Sequence, residues 1–131
     1  MLVYKVVKRG INDQLHSATP LGMRLSYEPG KPTVPPENCG PLAAFGSFGR
    51  AKEFACELSD DDHPMEVWKA EGPPSSRNRL YCPSEGGGLR ILDGDSKPFP
   101  EGTVLMEQVT LLRLAGIMRG EICYQLFGFR E

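Results

Sequence analysis

Apolar residues recur at a helical spacing in only one segment of the chain, residues 48–58. The apolar positions of this segment are Phe48, Ala51, Phe54, Ala55 and Leu58. Ser47 precedes it and is a favourable N-cap, because a serine side chain accepts a hydrogen bond from a free N–H group of the first helical turn. The pattern therefore predicts one principal helix over residues 48–58, preceded by a buried strand at 42–45.

Most other apolar runs are short and predict strands. Alternation of apolar and polar positions, or a high content of β-branched residues, identifies strands at 2–8, 23–27, 65–71, 103–106 and 121–129, with shorter ones at 78–81 and 89–92. Residues 109–114 fit a strand or a helix; Val109 and Thr110 favour a strand, which Ala115 and Gly116 are expected to break. The sequence thus predicts an α+β fold, a mainly antiparallel sheet with one principal helix packed on one face.

Length and composition indicate one domain. A chain of 131 residues fits a single domain, 1–131, with enough residues to bury a core. The fifteen glycines and twelve prolines predict many turns, and residues 72–100 are expected to form a turn-rich, mobile insertion.

The charge pattern gives no reason to expect nucleic acid or an anionic membrane as a partner. Seventeen acidic and fifteen basic residues leave a net charge of −2, and the basic residues do not cluster. The apolar N-terminal run precedes its charges and predicts a strand, not a signal peptide. No run approaches the roughly 20 apolar residues of a membrane span. A cytoplasmic protein is expected.

Metal and cofactor motifs are absent from the sequence. The four cysteines lie far apart and are expected to be reduced thiols: Cys39, Cys56, Cys82 and Cys123. The run Asp60, Asp61, Asp62 and His63 is typical of a solvated turn, and so is the pair Asp93 and Asp95. The glycines at 86–88 lack the Lys and Ser/Thr of a phosphate loop. No metal site and no cofactor are predicted.

Three aromatic residues are candidate ligand-binding residues, namely Tyr4, Tyr27 and Trp68. The leading hypothesis is a small binding or accessory module without catalytic activity, and a small-molecule carrier is an alternative. The terminal strand, 121–129, would leave an unpaired sheet edge, which favours a homodimer formed through that edge.

The order of several segments resembles that of small bacterial and phage proteins without an established activity, including integron-type proteins carried on mobile gene cassettes. The residues that carry the resemblance are 3–7, 41–45, Ser47, 51–55, 66–68, 100–105, Val109 and 111–113. This resemblance concerns the fold and implies no mechanism.

A second resemblance is to ADP-ribosyltransferase domains. These begin with a strand that bears a tyrosine, and a strand ending in Phe-x-Ser then precedes a helix with an Ala–Phe pair. The matching residues are Tyr4, Phe45, Ser47, Ala51 and Phe54. The resemblance implies an NAD-using transferase in which Tyr4 and Ser47 lie near the cofactor and Glu107 is the catalytic acid.

Overall fold

The computed structural model describes residues 1–18, 25–35, 41–76, 79–83, 89–93, 99–120 and 122–125. One α-helix, α1, spans Phe48–Leu58, and a short 3-10 turn spans Ile11–Asp13. The described strands are β1 (Leu2–Arg9), β2 (Leu15–Ser17), β3 (Ser26–Tyr27), β4 (Pro32–Thr33), β5 (Leu42–Phe45), β6 (Met65–Glu71), β7 (Arg79–Pro83), β8 (Leu89–Asp93), β9 (Thr103–Met106), β10 (Val109–Arg119) and β11 (Ile122–Gln125).

Nine of these strands form one antiparallel sheet, and α1 packs against it. The main order is β11-β10-β6-β1-β2-β3; β4 pairs with β10, β5 pairs with β1, and β9 pairs with β5. Strands β7 and β8 form a separate antiparallel pair within the segment 72–100. The predicted α+β fold, with one principal helix on a mainly antiparallel sheet, is confirmed.

The sheet is strongly curled. Tyr27 of β3 and Pro32 of β4 are five residues apart, so the chain between them reaches at most about 18 Å. In a flat sheet the five strand spacings from β3 to β4 would amount to about 24 Å. Because β3 pairs with β2 while β4 pairs with β10, the two ends of the sheet must approach each other. The turn 28–31 closes this gap, and its Gly30 N–H donates to the Leu111 carbonyl oxygen at 2.9 Å.

Curling gives the protein two apolar cores, one on each face of the central strands β1 and β6. Tyr4 and Val6 of β1 lie on the convex face beneath α1, whereas Val3 and Val7 lie on the concave face. The convex core contains Tyr4, Val6, Phe45, Phe48, Ala51, Ala55, Met65, Val67, Ala115 and Met118. The concave core contains Val3, Val7, Leu15, Tyr27, Leu42, Ala44, Ala70, Met106, Val109 and Leu111.

Helix α1 has the bounds and the cap that the sequence predicts. The Ser47 hydroxyl accepts a hydrogen bond from the Arg50 N–H at 3.3 Å, and the helix ends where the Ser59 N–H donates to the Ala55 carbonyl oxygen. Such a cap stabilises a helix by about 1 kcal/mol. Burying a side chain like that of Phe48 contributes roughly 1.5–3 kcal/mol. Packing on the sheet therefore holds the helix, and Ser47 fixes where it begins.

Strand β10 corrects one prediction. Residues 109–114 are a strand, but Ala115 and Gly116 do not break it, because β10 continues to Arg119. The pairing of β10 with β6 shifts register twice, between Leu111 and Arg113 and between Leu114 and Gly116. Each shift is a bulge that absorbs one extra residue, so the strand bends with the sheet instead of ending. The small Ala115 is fully buried in the convex core.

Other differences are local. Residues 32–33 form the short strand β4. Pro32 is tolerated there because an edge strand does not need an N–H donor at every position. Part of the predicted strand 23–27 and part of 121–129 lie outside the described residues, as do 77–78, 84–88 and 94–98 of the predicted insertion. Among the residues described, no helix has the length and apolar character needed to cross a membrane.

Two glycines offer a matched test of this packing. A Cβ at Gly72 would fall on the Gln108 carbonyl oxygen, whereas a Cβ at Gly49 of α1 would meet no atom within 4 Å. We expect Gly72→Ala to lower the free energy of unfolding by roughly 3 kcal/mol through overpacking. Gly49→Ala should raise it by about 0.5–1 kcal/mol through helix propensity. Urea unfolding followed by circular dichroism measures both, and equal midpoints for the two variants would contradict the described packing.

Candidate functional site

A cleft of about 420 Å³ opens beside the turn that closes the curled sheet. We call it the Trp68 cleft; it lies between the 9–15 segment, residues 26–29 and the side chain of Trp68. Its walls are partly apolar, from Leu15, Tyr27 and Trp68, and partly polar, from Gln14 and Ser26. Mixed walls of this kind are usual for small-ligand sites.

The pairing of β1 with β6 places the principal side chains of this cleft. Lys5 lies opposite Trp68, and Val7 lies opposite Glu66. Since side chains alternate along a strand and directly opposed residues share a face, Lys5, Arg9, Glu66 and Trp68 all lie on the concave face. Arg9 ends β1, so its guanidinium reaches the open end of the curled sheet.

Arg9, Glu66 and Trp68 form a hydrogen-bonded network. Arg9 Nε and Nη2 donate to the Glu66 carboxylate at 2.8 and 2.9 Å, a bidentate pair. Trp68 Nε1 donates to Glu66 Oε1 at 3.0 Å. The hydrogen bond that Arg9 donates to Glu66 raises the pKa of Arg9 above its ordinary value. Glu66 is only 7% exposed, so the network holds the indole of Trp68 in one orientation at the cleft wall.

The rim of the cleft carries Asp13 in an uncommon backbone conformation. Asn12 and Asp13 have φ of 64° and 59°, in the left-handed region that favours glycine. Arg9 Nη1 donates to the Asp13 carbonyl oxygen at 3.4 Å, and the Gly10 N–H donates to the Gln14 carbonyl oxygen at 2.8 Å. These bonds tie the 10–14 turn to the same arginine that orients Glu66.

Lys5 lies behind the cleft as a buried charge. It is 2% exposed, its Nζ donates to the Ala43 carbonyl oxygen at 2.6 Å, and it lies 5.5 Å from the centroid of the Tyr27 ring. Burial lowers the pKa of Lys5 to about 8. Tyr27 is also buried, and burial raises the pKa of its hydroxyl, with a smaller opposing effect from Ser17. The Tyr27 ring thus contacts Lys5 and also lines the Trp68 cleft, so it lies between the lysine and the cleft.

The three predicted ligand-binding residues do not all meet. Tyr27 and Trp68 both line the Trp68 cleft. Tyr4 lies on the opposite, convex face, where its ring meets that of Phe48 edge to face at 6.0 Å.

The three residues implied by the ADP-ribosyltransferase resemblance do not lie together, because Glu107 is distant from Tyr4 and Ser47. Tyr4 pairs with Phe45, so it lies at the end of β5 that leads to Ser47. Glu107 follows the opposite end of the β5–β9 pair, four residue steps or about 13 Å along the strands from the level of Phe45. There its carboxylate accepts a hydrogen bond from the Ser75 hydroxyl at 2.7 Å. Tyr4 and Ser47 are thus neighbours in the fold, with Glu107 at the far end of the strand pair.

The two histidines have local partners. His63 Nδ1 lies 3.0 Å from the Asp60 carboxylate, which also accepts from the backbone N–H groups of Asp62 and His63. The hydrogen bond from His63 lowers the pKa of Asp60. His16 lies directly opposite Ser26, with Nδ1 and the hydroxyl 3.5 Å apart at an exposed position.

No group of three potential metal ligands occurs among the residues the structure describes. Cys56 and Cys123 are partly buried thiols that form no disulfide with a described residue. Cys39, Asp95 and the glycines at 86–88 lie outside the described residues.

Sequence reasoning missed Arg9, Glu66 and Lys5 as parts of this site. A signal was present, because Lys5 interrupts the apolar positions Val3 and Val7 on one face of β1, and Glu66 shares its face of β6 with Trp68. The partner of each charge, however, comes from another strand, and the register between strands was needed to find it.

Comparison of the chain with protein-family models, with curated proteins and with solved structures found no match.

Burial of Lys5 predicts an unusual dependence of stability on pH. Its pKa is 10.5 in the unfolded chain and about 8 in the folded protein, so between these values the unfolded chain binds more protons. The free energy of unfolding should therefore rise from pH 8 to 10, with about 3 kcal/mol as the upper limit for the complete step. Above pH 10 it should fall, because the raised pKa of Tyr27 keeps a proton on the folded protein that the unfolded chain loses.

Urea unfolding at a series of pH values checks this, with Lys5→Met and the exposed-site control Lys8→Met. Lys5→Met should remove the rise and Lys8→Met should keep it. Parallel curves for the wild type and Lys5→Met would contradict the assignment.

Proposed function

We propose that this protein is a binding module without catalytic activity and that it takes a small ligand with a flat ring in the Trp68 cleft. The observation that carries the proposal is the fixed Trp68 indole, held through Glu66 by Arg9 beside an open volume of about 420 Å³. An aromatic wall fixed before binding loses little conformational entropy when a ring packs on it.

The polar groups around the indole favour binding over chemistry. The Arg9 guanidinium is occupied by Glu66 and by the Asp13 carbonyl oxygen, so its charge is largely compensated before any ligand arrives. Gln14 and Ser26 offer an amide and a hydroxyl, which suit the polar edge of a heterocycle. A nucleophile would need a closer and better oriented base than His16 at 3.5 Å from the Ser26 hydroxyl.

Fluorescence of Trp68, the single tryptophan of the chain, tests the proposal directly. Nicotinamide, adenine, uracil and NAD are the probes, and at least one ring should change the emission at millimolar concentration. Glu66→Gln should weaken that binding by about 5–30-fold, because it removes the carboxylate that orients the indole. Glu71→Gln, an exposed carboxylate on the same strand, is the matched control and should bind as the wild type does.

Two outcomes would contradict this function. If none of the four probes changes the emission or shifts the Trp68 indole N–H resonance, the cleft is not a ring-binding site. If the protein binds NAD and releases nicotinamide from it, the non-catalytic part is wrong and the ADP-ribosyltransferase alternative replaces it.

We also propose that the protein forms a homodimer through the outer edge of β11. Strand β11 ends the main strand order, and among the described residues it pairs only with β10. An edge with unpaired N–H and C=O groups can pair with the same edge of a second copy about a two-fold axis. Ile122 at the start of this strand is 50% exposed, which adds apolar surface at that edge.

A charge placed on this edge tests the dimer. At micromolar concentration, light scattering after size exclusion should give twice the chain mass for the wild type and for Leu112→Lys, a control at a similarly exposed leucine of β10. Ile122→Lys should give the monomer mass, because a lysine on an edge strand opposes pairing. A monomer mass for the wild type would remove the dimer proposal.

A further inference from the structure

A second cleft, of about 400 Å³, lies on the other side of the molecule between α1 and the segment 99–101. We call it the helix cleft. Three phenyl rings line it, those of Phe45, Phe54 and Phe99. The rings of Phe45 and Phe54 pack against each other at a centroid distance of 5.1 Å and an angle of 42°. This cleft therefore offers aromatic surface from three separate segments of the chain.

Carboxylates outnumber cations around these rings. Glu53, Glu57 and Glu101 line the cleft with one arginine, Arg50, so the formal charge of the lining side chains is −2. Arg50 is already engaged, with Nη2 at 2.9 Å from Glu101 and Nη1 at 3.3 Å from Glu53. Glu57 lies one helical turn beyond Glu53 and has no ion pair among the described residues.

Arg50 also fixes the shape of the helix cleft. Gly102 has φ of +87°, and a Cβ there would overlap the Arg50 side chain, so the aliphatic stem of the arginine packs directly over this glycine. The same side chain reaches Glu101 beside it, and the Gly46 N–H donates to the Gly102 carbonyl oxygen at 3.0 Å. Segment 99–102 is thus attached to Gly46 before α1 and to Arg50 in its first turn. These contacts fix the position of Phe99, which belongs to the same segment.

We propose that the helix cleft binds a small organic ammonium ion whose charged head packs on the rings of Phe45, Phe54 and Phe99, close to the carboxylates that line the same cleft. The faces of aromatic rings attract cations, and net negative charge at the rim adds to this attraction. A neutral ligand of the same shape would gain only the apolar contact. An anionic ligand would be repelled by the carboxylates, because the one arginine is occupied by two of them. This site is independent of the Trp68 cleft and of the ligand proposed for it.

Three matched probes test the charge preference, namely benzyltrimethylammonium, benzyl alcohol and phenylacetate. Titrations followed by amide nitrogen–proton correlation spectra of the intact chain report on both clefts at once. The amides of α1 and Gly102 report on the helix cleft, and the Trp68 indole N–H reports on the Trp68 cleft. The ammonium ion should shift the first set with an affinity about 10-fold above that of benzyl alcohol. Phenylacetate should leave that set unchanged.

Variants separate charge from shape. Glu57→Gln, at an exposed site, should weaken binding of the ammonium ion about 3-fold, and this difference should shrink at high salt. Glu28→Gln, the same change at the rim of the Trp68 cleft, should leave it unaltered. Phe54→Leu should lower the affinity for the ammonium ion until it is close to the affinity for benzyl alcohol.

Equal affinities of the wild type for the ammonium ion and for benzyl alcohol would overturn the proposal. Chemical-shift changes confined to the Trp68 indole N–H would also overturn it. Loss of affinity with Glu28→Gln as large as that with Glu57→Gln would also overturn it.

Discussion

The structure depends on one constraint, which is that a sheet with two apolar faces has only one principal helix to cover it. Helix α1 covers the convex face of β1 and β6. No second helix covers the concave face among the described residues. There Tyr27 of β3 and Val109 and Leu111 of β10 join Val3 and Val7 in one core, so the curled sheet covers its own concave face. The short link between β3 and β4 is long enough for a curled sheet and too short for a flat one. The fold therefore has a helix packed on one face of the sheet, and the curled sheet covers the other face with its own strands.

Curling also explains where charges are buried. The end of β1 reaches the opening of the curled sheet, and there Arg9 and Glu66 satisfy each other with two short hydrogen bonds. Four residues back along the strand, Lys5 is deep in the concave core, and its partners among the described residues are a carbonyl oxygen and a tyrosine ring. Desolvation outweighs those two contacts, as the lowered pKa of Lys5 shows. Pairing with the Arg9 guanidinium makes Glu66 a rigid support for Trp68. Lys5 has no carboxylate partner among the described residues and is therefore a source of pH dependence.

Local features of the sequence predicted the helix and its cap, and the clean alternation of residues 65–71 predicted β6, because these signals depend on neighbours along the chain. Strand β10 was ambiguous for a physical reason. Its two bulges place Leu111, Leu114 and Ile117 opposite Ala70, Trp68 and Glu66, which all lie on the concave face. The spacing on this face is therefore three residues instead of two, which resembles a helical period. The Arg9–Glu66–Trp68 network could not be predicted, since it depends on a register between strands separated by more than fifty residues.

Both clefts occur where neither α1 nor the curled strands cover the sheet completely. The side chains that line each cleft, including those of the segment that closes it, supply its polar groups. At the Trp68 cleft the closing segments, 9–15 and 26–29, bring an arginine whose charge is cancelled by a buried glutamate, and the carboxylates of Asp13 and Glu28 also line this cleft. At the helix cleft Arg50 holds the closing segment 99–102 by its ion pair with Glu101. The guanidinium is therefore already paired, and the other carboxylates remain around three phenyl rings. Carboxylates therefore line both clefts, whereas the three phenyl rings belong to the helix cleft. If the proposed ligands bind, the two clefts would differ in preference through their aromatic walls, one fixed indole at the Trp68 cleft and three phenyl rings at the helix cleft. The ion pairs of Arg9 and Arg50 hold the segments beside these walls in place.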